Sequence, residues 1–226
     1  DSMFVSRVGE DALPAVSLAF PLQTLMVAVA GGTGVGVNAL LSKSLGEKKF
    51  EVADRAANAG VFLMLVSYVV FFIFGMFGTG LFFRSQVDLS KANAAAIVEY
   101  GTGYLSVCMI GSIGFIMEMM LERLLQATGK TFYTMITQGT GAILNIILDP
   151  ILIFGYFGVP ALGIRGAAIA TVIGQVVAML MALWFNVKKN TEISLSLRKM
   201  RPHAETIRKI YWVGVPSVIM QAIGSI

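Results

Sequence analysis

Five long apolar runs, separated by short polar stretches, dominate the chain. They cover about 14–41, 56–83, 95–121, 132–154 and 163–187. At 1.5 Å of rise per residue, each is long enough as a helix to cross a hydrocarbon core of about 30 Å. Residues 1–8 read as the tail of a further span, and a last apolar run starts near Tyr211 and stops at Ile226. Glycine and serine recur inside the runs, which membrane helices accept more readily than soluble ones. The pattern predicts an all-α membrane protein with three parts. Residues 1–187 form a six-helix transmembrane bundle, 188–210 a cytoplasmic amphipathic connector, and 211–226 the start of another helix.

Charge sorts the loops into two sets. Lys43, Lys48, Lys49 and Arg55 lie between the first two whole spans, and Arg123 and Lys130 between the third and fourth. The connector carries Lys188, Lys189, Arg198, Lys199, Arg201, Arg208 and Lys209. The opposite side has only Arg7, Arg84, Lys91 and Arg165. The positive-inside rule therefore puts the first set in the cytoplasm. The connector interleaves Leu195, Leu197, Met200, Ile207 and Ile210 with its basic residues. That pattern suits a surface helix on an anionic inner leaflet, with a solvated linker as the plainer alternative.

Composition excludes several function classes. Hydrophobic residues make up 56% of the 226 and charged residues 13%, and the mean hydropathy is +0.78. A soluble domain carries about a quarter charged residues. Basic residues outnumber acidic ones 17 to 13, but they sit in loops, so a nucleic-acid partner is not expected. Cys108 is the single cysteine and His203 the single histidine. A disulfide framework, a Cys- or His-based metal site and Ser-His-Asp catalysis are therefore out of reach, and neither an enzyme nor a bound cofactor is expected.

The run Gly31-Gly32-Thr33-Gly34-Val35-Gly36 looks like a nucleotide loop but lacks a preceding strand and a following acidic residue in a βαβ setting. Gly32 and Gly36 instead form a small-xxx-small pair for close helix approach. Gly111, Gly114, Gly139 and Gly141 read the same way. Asp149 is the residue of most consequence. It sits in Asn145-Ile146-Ile147-Leu148-Asp149-Pro150, inside an apolar span, where an ionised carboxylate costs at least a few kcal/mol and commonly marks an ion or proton path. Asn145 lies one turn away on the same face. Pro150 leaves the Ile146 carbonyl without its helical donor. The plainer alternative is an Asp at the outer edge, solvated and capping the Pro-containing turn.

Depth groups further residues with Asp149. If the span exits at Gly155, Asp149 lies about 9 Å and Asn145 about 15 Å below that exit. Thr171, on the next span, lies about 12 Å down from Gly163. Asp1 falls at a similar level. Two carboxylates, an amide and a hydroxyl at one depth form a candidate cation or proton site. Glu118 and Glu122, one turn apart beside Arg123, are placed near a cytoplasmic end. Interfacial salt bridges with Arg123 and Lys130 are the expectation, and a cytoplasmic gate formed by Glu118, Glu122 and Arg123 is the alternative. The 13 methionines suit an adaptable drug pocket, although core or lipid-facing packing accounts for most of them.

The residues Asp1-Ser2-Met3-Phe4-Val5-Ser6-Arg7-Val8-Gly9, Ala12-Leu13-Pro14-Ala15-Val16-Ser17 and Leu41-Ser42-Lys43-Ser44-Leu45-Gly46 carry a family resemblance. So, most specifically, does Asn145 through Gly155 followed by Gly163-Ile164-Arg165-Gly166 to Thr171. In this order and spacing the chain resembles the multidrug and toxic compound extrusion (MATE) family, bacterial type. The resemblance implies a twelve-helix transporter of two six-helix lobes that exports organic cations in exchange for H⁺ or Na⁺. It also implies that Asp1, Asn145, Asp149 and Thr171 are cation-site residues of the N-terminal lobe. On this resemblance the chain is expected to be a fragment, begun within the first helix and ended in the seventh, with the C-lobe as its missing partner.

The expected function is cation-coupled export of drugs across a bacterial cytoplasmic membrane. The expected partners are an organic cation and membrane lipids. A flippase for lipids or lipid-linked oligosaccharides is the alternative within transport, disfavoured because the basic residues lie in loops. A non-transporting membrane scaffold is the alternative of another class, and it would leave the intramembrane Asn145–Asp149 pair without a purpose.

Overall fold

The computed structural model describes residues 12–87, 94–158, 160–200 and 203–223. Among these the chain folds into eight α-helices: α1 (Ala12–Gly46), α2 (Phe50–Phe77), α3 (Thr79–Gln86), α4 (Ala94–Ile110), α5 (Ile113–Ala127), α6 (Thr131–Phe154), α7 (Ile164–Lys188) and α8 (Ala204–Ile223). Two single 3-10 turns, Tyr156–Gly158 and Leu197–Lys199, complete the set. Helices α1, α2, α6 and α7 are each long and apolar enough to cross a membrane. Helices α4 and α5 are together long and apolar enough for a fifth crossing and are bent by 42° at the break between them. Four of the runs read from hydropathy thus hold a helix of membrane-crossing length with its edges moved. The run read as 56–83 divides at Gly78 between α2 and α3, and the run read as 95–121 is the bent α4–α5 pair.

The break has a local cause. The Ser112 hydroxyl donates to the Met109 carbonyl at 2.7 Å, so that carbonyl is drawn from the regular ladder, a known source of helix bending. The Ser112 amide turns to the same oxygen at 3.3 Å, a tightened i to i−3 bond. At the other end of the bundle α6 stops where Gly155 adopts φ +78° and ψ 42° and its amide bonds the Ile151 carbonyl at 3.0 Å. That left-handed cap is open to glycine without strain.

Small residues let the helices touch at the backbone. A Cβ on Gly32 of α1 would lie 2.9 Å from the Gly214 carbonyl of α8, and one on Gly36 would lie 3.0 Å from the Ile210 carbonyl carbon. The predicted close approach at these two glycines is thus realised, between α1 and α8. Helices α6 and α7 cross at Gly141 and Gly174, where a Cβ on Gly174 would lie 2.9 Å from the Gly141 carbonyl. Gly111 and Gly114 face α7 in the same manner. Gly139 does not, because no atom lies within 4 Å of its would-be Cβ. Met64, Met109 and Met120 are fully buried in the core, whereas Met76, Met135 and Met220 are exposed on the bundle perimeter.

The connector departs from the surface helix expected of it. Residues 189–200 are non-helical apart from the turn at Leu197–Lys199, and helix resumes only at Ala204. The segment is instead tied to the first turns of α2. Asn58, fully buried, donates to the Ser194 carbonyl at 3.0 Å and accepts from the Ser196 amide at 3.0 Å. Asp54 accepts from the Ser194 amide at 2.8 Å, from its hydroxyl at 3.0 Å and from Lys199 Nζ at 2.8 Å. Ile193 is buried, and Leu195 and Met200 pack against the core. Leu195, Met200, Ile207 and Ile210, which suggested a membrane face, thus turn toward the protein.

Candidate functional site

Helices α6 and α7 form an antiparallel pair whose small residues bring the polar side chains on their facing sides together. Asn145 on α6 donates from Nδ2 to Thr171 Oγ1 on α7 at 3.2 Å. Thr171 Oγ1 in turn donates to the Ala167 carbonyl at 3.0 Å. This hydroxyl is therefore oriented by its own helix and receives the amide with a lone pair. One turn above Asn145, Asp149 is 1% exposed. A buried carboxylate needs compensation by hydrogen bonds, by a proton or by a cation. Pro150 lies within α6, so the Ile146 carbonyl on the intervening turn has no helical N–H to accept. The group offers only oxygen donors besides the amide nitrogen. Such a set suits a proton or a hard cation rather than a soft metal.

Asn145 and Thr171 are thus brought into contact, and Asp149 sits one turn away on the same helix. Asp1, the fourth residue of the predicted site, lies outside the described residues.

A cavity of about 260 Å³ opens directly beside the pair. Glu118 of α5, Gln138 and Asn145 of α6, and Thr171 and Gln175 of α7 line it. Glu118 therefore does not lie at the cytoplasmic interface. The sequence reading ended its span near 121, but α5 runs on to Ala127, which leaves Glu118 about 14 Å inside that end. Nor do the expected salt bridges form. Glu122, 6% exposed, accepts from Thr137 Oγ1 and Gln138 Nε2, each at 2.7 Å. Arg123 donates to Gln126 at 2.9 Å and passes over Gly34 of α1, whose would-be Cβ lies 3.0 Å from Arg123 Cγ. Lys130 pairs with Glu192 at 3.8 Å. Glu122 thus links α5 to α6, and Arg123 packs across α1.

Sequence reasoning overlooked three amides. Gln138 and Gln175 line the cavity, and Gln23 of α1 donates to Tyr104 Oη at 3.3 Å and to Cys108 Sγ at 3.6 Å on α4. Their signal was available, since an amide inside an apolar span rarely faces lipid.

Comparison with known proteins places this geometry. The sequence matches the MatE family profile over residues 1–151. It is 27% identical over 218 residues to the multidrug export protein MepA of Staphylococcus saprophyticus, covering 96% of this chain and 46% of that protein. It is also 27% identical over 212 residues to MepA of Staphylococcus aureus, covering 92% of this chain and 44% of that protein. Among solved structures, an inward-facing multidrug resistance MATE family transporter of the MOP superfamily superposes with a TM-score of 0.87 at 30% identity. That match covers 99% of this chain and 49% of the transporter. An outward-facing MATE transporter superposes with a TM-score of 0.85 at 32% identity, covering 97% and 47%. The chain spans about half the length of the curated relatives it matches. With its all-helical bundle corresponding to one lobe of these transporters, the chain is a member of the MatE family.

Proposed function

We propose that the chain forms the N-terminal lobe of an antiporter that exports organic cations across a bacterial cytoplasmic membrane in exchange for H⁺ or Na⁺. The coupling ion is held by Asp1, Asn145, Asp149 and Thr171. The observation that carries this reading is the Asn145–Thr171 hydrogen bond across α6 and α7, one turn from a buried carboxylate. A bundle that served only as a scaffold would fill these positions with apolar residues, since buried polar groups add insertion cost without a packing gain. Relatives whose name is multidrug export protein support the substrate class.

The mechanism follows from linkage. Occupation of the site from the outside favours one packing of the lobe, and a drug in the cleft between lobes favours release of the ion. Each ligand shifts the equilibrium only by the difference in its affinity for the two states. The near-equal superposition on inward- and outward-facing relatives (TM-scores 0.87 and 0.85) supports a lobe that moves largely as a unit, as rocking mechanisms require.

The test uses the protein expressed with the sequence that flanks this chain in its gene, in everted vesicles. Efflux of a fluorescent organic cation is followed under separate Na⁺ and H⁺ gradients. Efflux under one gradient, lost in Asp149→Asn, is the expected result. Undiminished efflux in that variant would refute the role given to Asp149.

A further inference from the structure

A second cavity shares no lining residue with the one beside Asn145 and Thr171. It has a volume of about 860 Å³ and opens between α3, α4 and the first turn of α7. Two guanidiniums line it, Arg84 from the last turn of α3 and Arg165 from the first turn of α7. Neither belongs to an ion pair or hydrogen bond among the described residues. Among the described residues the lining has one carboxylate, Glu99, which is exposed and pairs with neither arginine. Deeper in, the cavity wall carries Thr102 and Ser106. Thr102 Oγ1 is buried and has no hydrogen-bond partner among the described residues. The rest of the wall is apolar, with Val98 and Val107 from α4.

Arg165 is seated rather than splayed. A Cβ on Gly103 of α4 would lie 2.6 Å from Arg165 Nε, so glycine leaves the space that the guanidinium fills against the groove wall. Leu81 of α3 and Tyr100 of α4 are 75% and 45% exposed, so this side of the two helices presents apolar surface outward. The groove follows α4 from Ala95 to Val107, about 18 Å along the helix axis. Arg165, seated at Gly103, lies about 12 Å down that length, which leaves about 6 Å of wall between it and Val107.

We propose that this groove binds an anionic phospholipid of the outer leaflet, with its phosphate on Arg84 and Arg165 and an acyl chain laid along α4 toward Val107. The two arginines disfavour the organic cations assigned to the transport site, and a free phosphate has no use for an apolar wall of this length. The leaflet assignment rests on the orientation given by the loop charges. Lipid retention by purified protein does not depend on transport, so failure of either proposal leaves the other standing.

The experiment is native mass spectrometry of the delipidated protein, with its flanking sequence, titrated separately with phosphatidylglycerol, with phosphatidylcholine of the same acyl chains, and with inorganic phosphate. An anionic lipid gains about 1 kcal/mol per basic side chain at the surface, so a preference of about 30-fold for phosphatidylglycerol is expected from two arginines. Arg84→Gln with Arg165→Gln should bring phosphatidylglycerol down to the level of phosphatidylcholine. Gly103→Leu, which removes the seat of Arg165 and keeps both charges, should lower retention about tenfold and serves if the double variant does not fold. Equal binding of the two lipids, or phosphatidylglycerol retention unchanged in a folded variant, would overturn the proposal. Displacement of the lipid by millimolar inorganic phosphate would overturn it too, because it would assign the arginines to a soluble anion.

Discussion

Replacing Asn58 with alanine should detach the connector from α2. The side chain is fully buried and holds the Ser194 carbonyl and the Ser196 amide, each at 3.0 Å. Its third bond, to the Asp54 carbonyl at 2.8 Å, goes to a group that stays in the helical ladder of α2. Truncation therefore orphans two backbone groups, at about 1 kcal/mol net for each bond lost. Local opening of the connector becomes easier by about 2 kcal/mol, which is about 30-fold in the opening equilibrium. Asp54 still grips Ser194 and Lys199, so the effect should be confined to the neighbourhood of Ser196. Hydrogen exchange followed by mass spectrometry over residues 189–200 reads this directly. The expected outcome is about 30-fold faster exchange at the Ser196 amide with α4 and α7 unchanged. Unchanged exchange at Ser196 would refute the account of the clasp. Acceleration spread through the whole bundle would show instead that Asn58 supports global packing.

Three further outcomes follow from the geometry. Asn145→Leu removes the α6–α7 hydrogen bond and should abolish gradient-driven efflux while fluorescence-detected size exclusion shows a folded protein. Gly32→Ala puts a methyl group 2.9 Å from both the Gly214 carbonyl and the Val218 amide, and overpacking of this kind costs about 1–3 kcal/mol. Thermal unfolding in detergent should show a clear fall in Tm for that variant. Lys49 donates to Glu47 at 2.6 Å in the turn between α1 and α2, and this bond and charge hold the Glu47 carboxyl below its ordinary range. The pair stabilises the turn above the ordinary Glu range, and that support is lost as the pH falls through the lowered value. Measured against the intrinsic exchange rate at each pH, protection of the turn should fall over that acid interval in the wild type and show no such step in Lys49→Met.

The spans were legible because a membrane leaves a one-dimensional trace, an apolar run of fixed length. The Asn145–Thr171 contact beside buried Asp149 was legible for a related reason. A carboxylate and an amide inside such a run stand out, and helical rise alone puts Asn145 and Thr171 at one level. What the chain concealed was the compensation of charge by distant partners. Helix α5 was cut short at Glu122 and Arg123 because neither is apolar, yet Thr137 and Gln138 on the next helix satisfy Glu122. The helix continues, and Glu118 moves from the interface into the cavity. Helix α2 begins at Phe50 rather than near 56 for the same reason, since the partners of Asp54 arrive from Ser194 and Lys199. The connector failed differently. Its alternation of apolar and basic residues fits a membrane surface and a protein surface equally well, and the buried Asn58, which decides between them, lies in another span.

The central claim is that Asp149 belongs to a site whose occupation opposes that of the drug. Its most direct test is release of the coupling ion from purified protein when a lipophilic organic cation such as tetraphenylphosphonium is added, read as acidification of a weakly buffered solution or as loss of bound radioactive sodium. The account predicts release from the wild type and none from Asp149→Asn, with the organic cation still bound by both. Equal release from the variant, or no release from a wild type that has bound the organic cation, would contradict it.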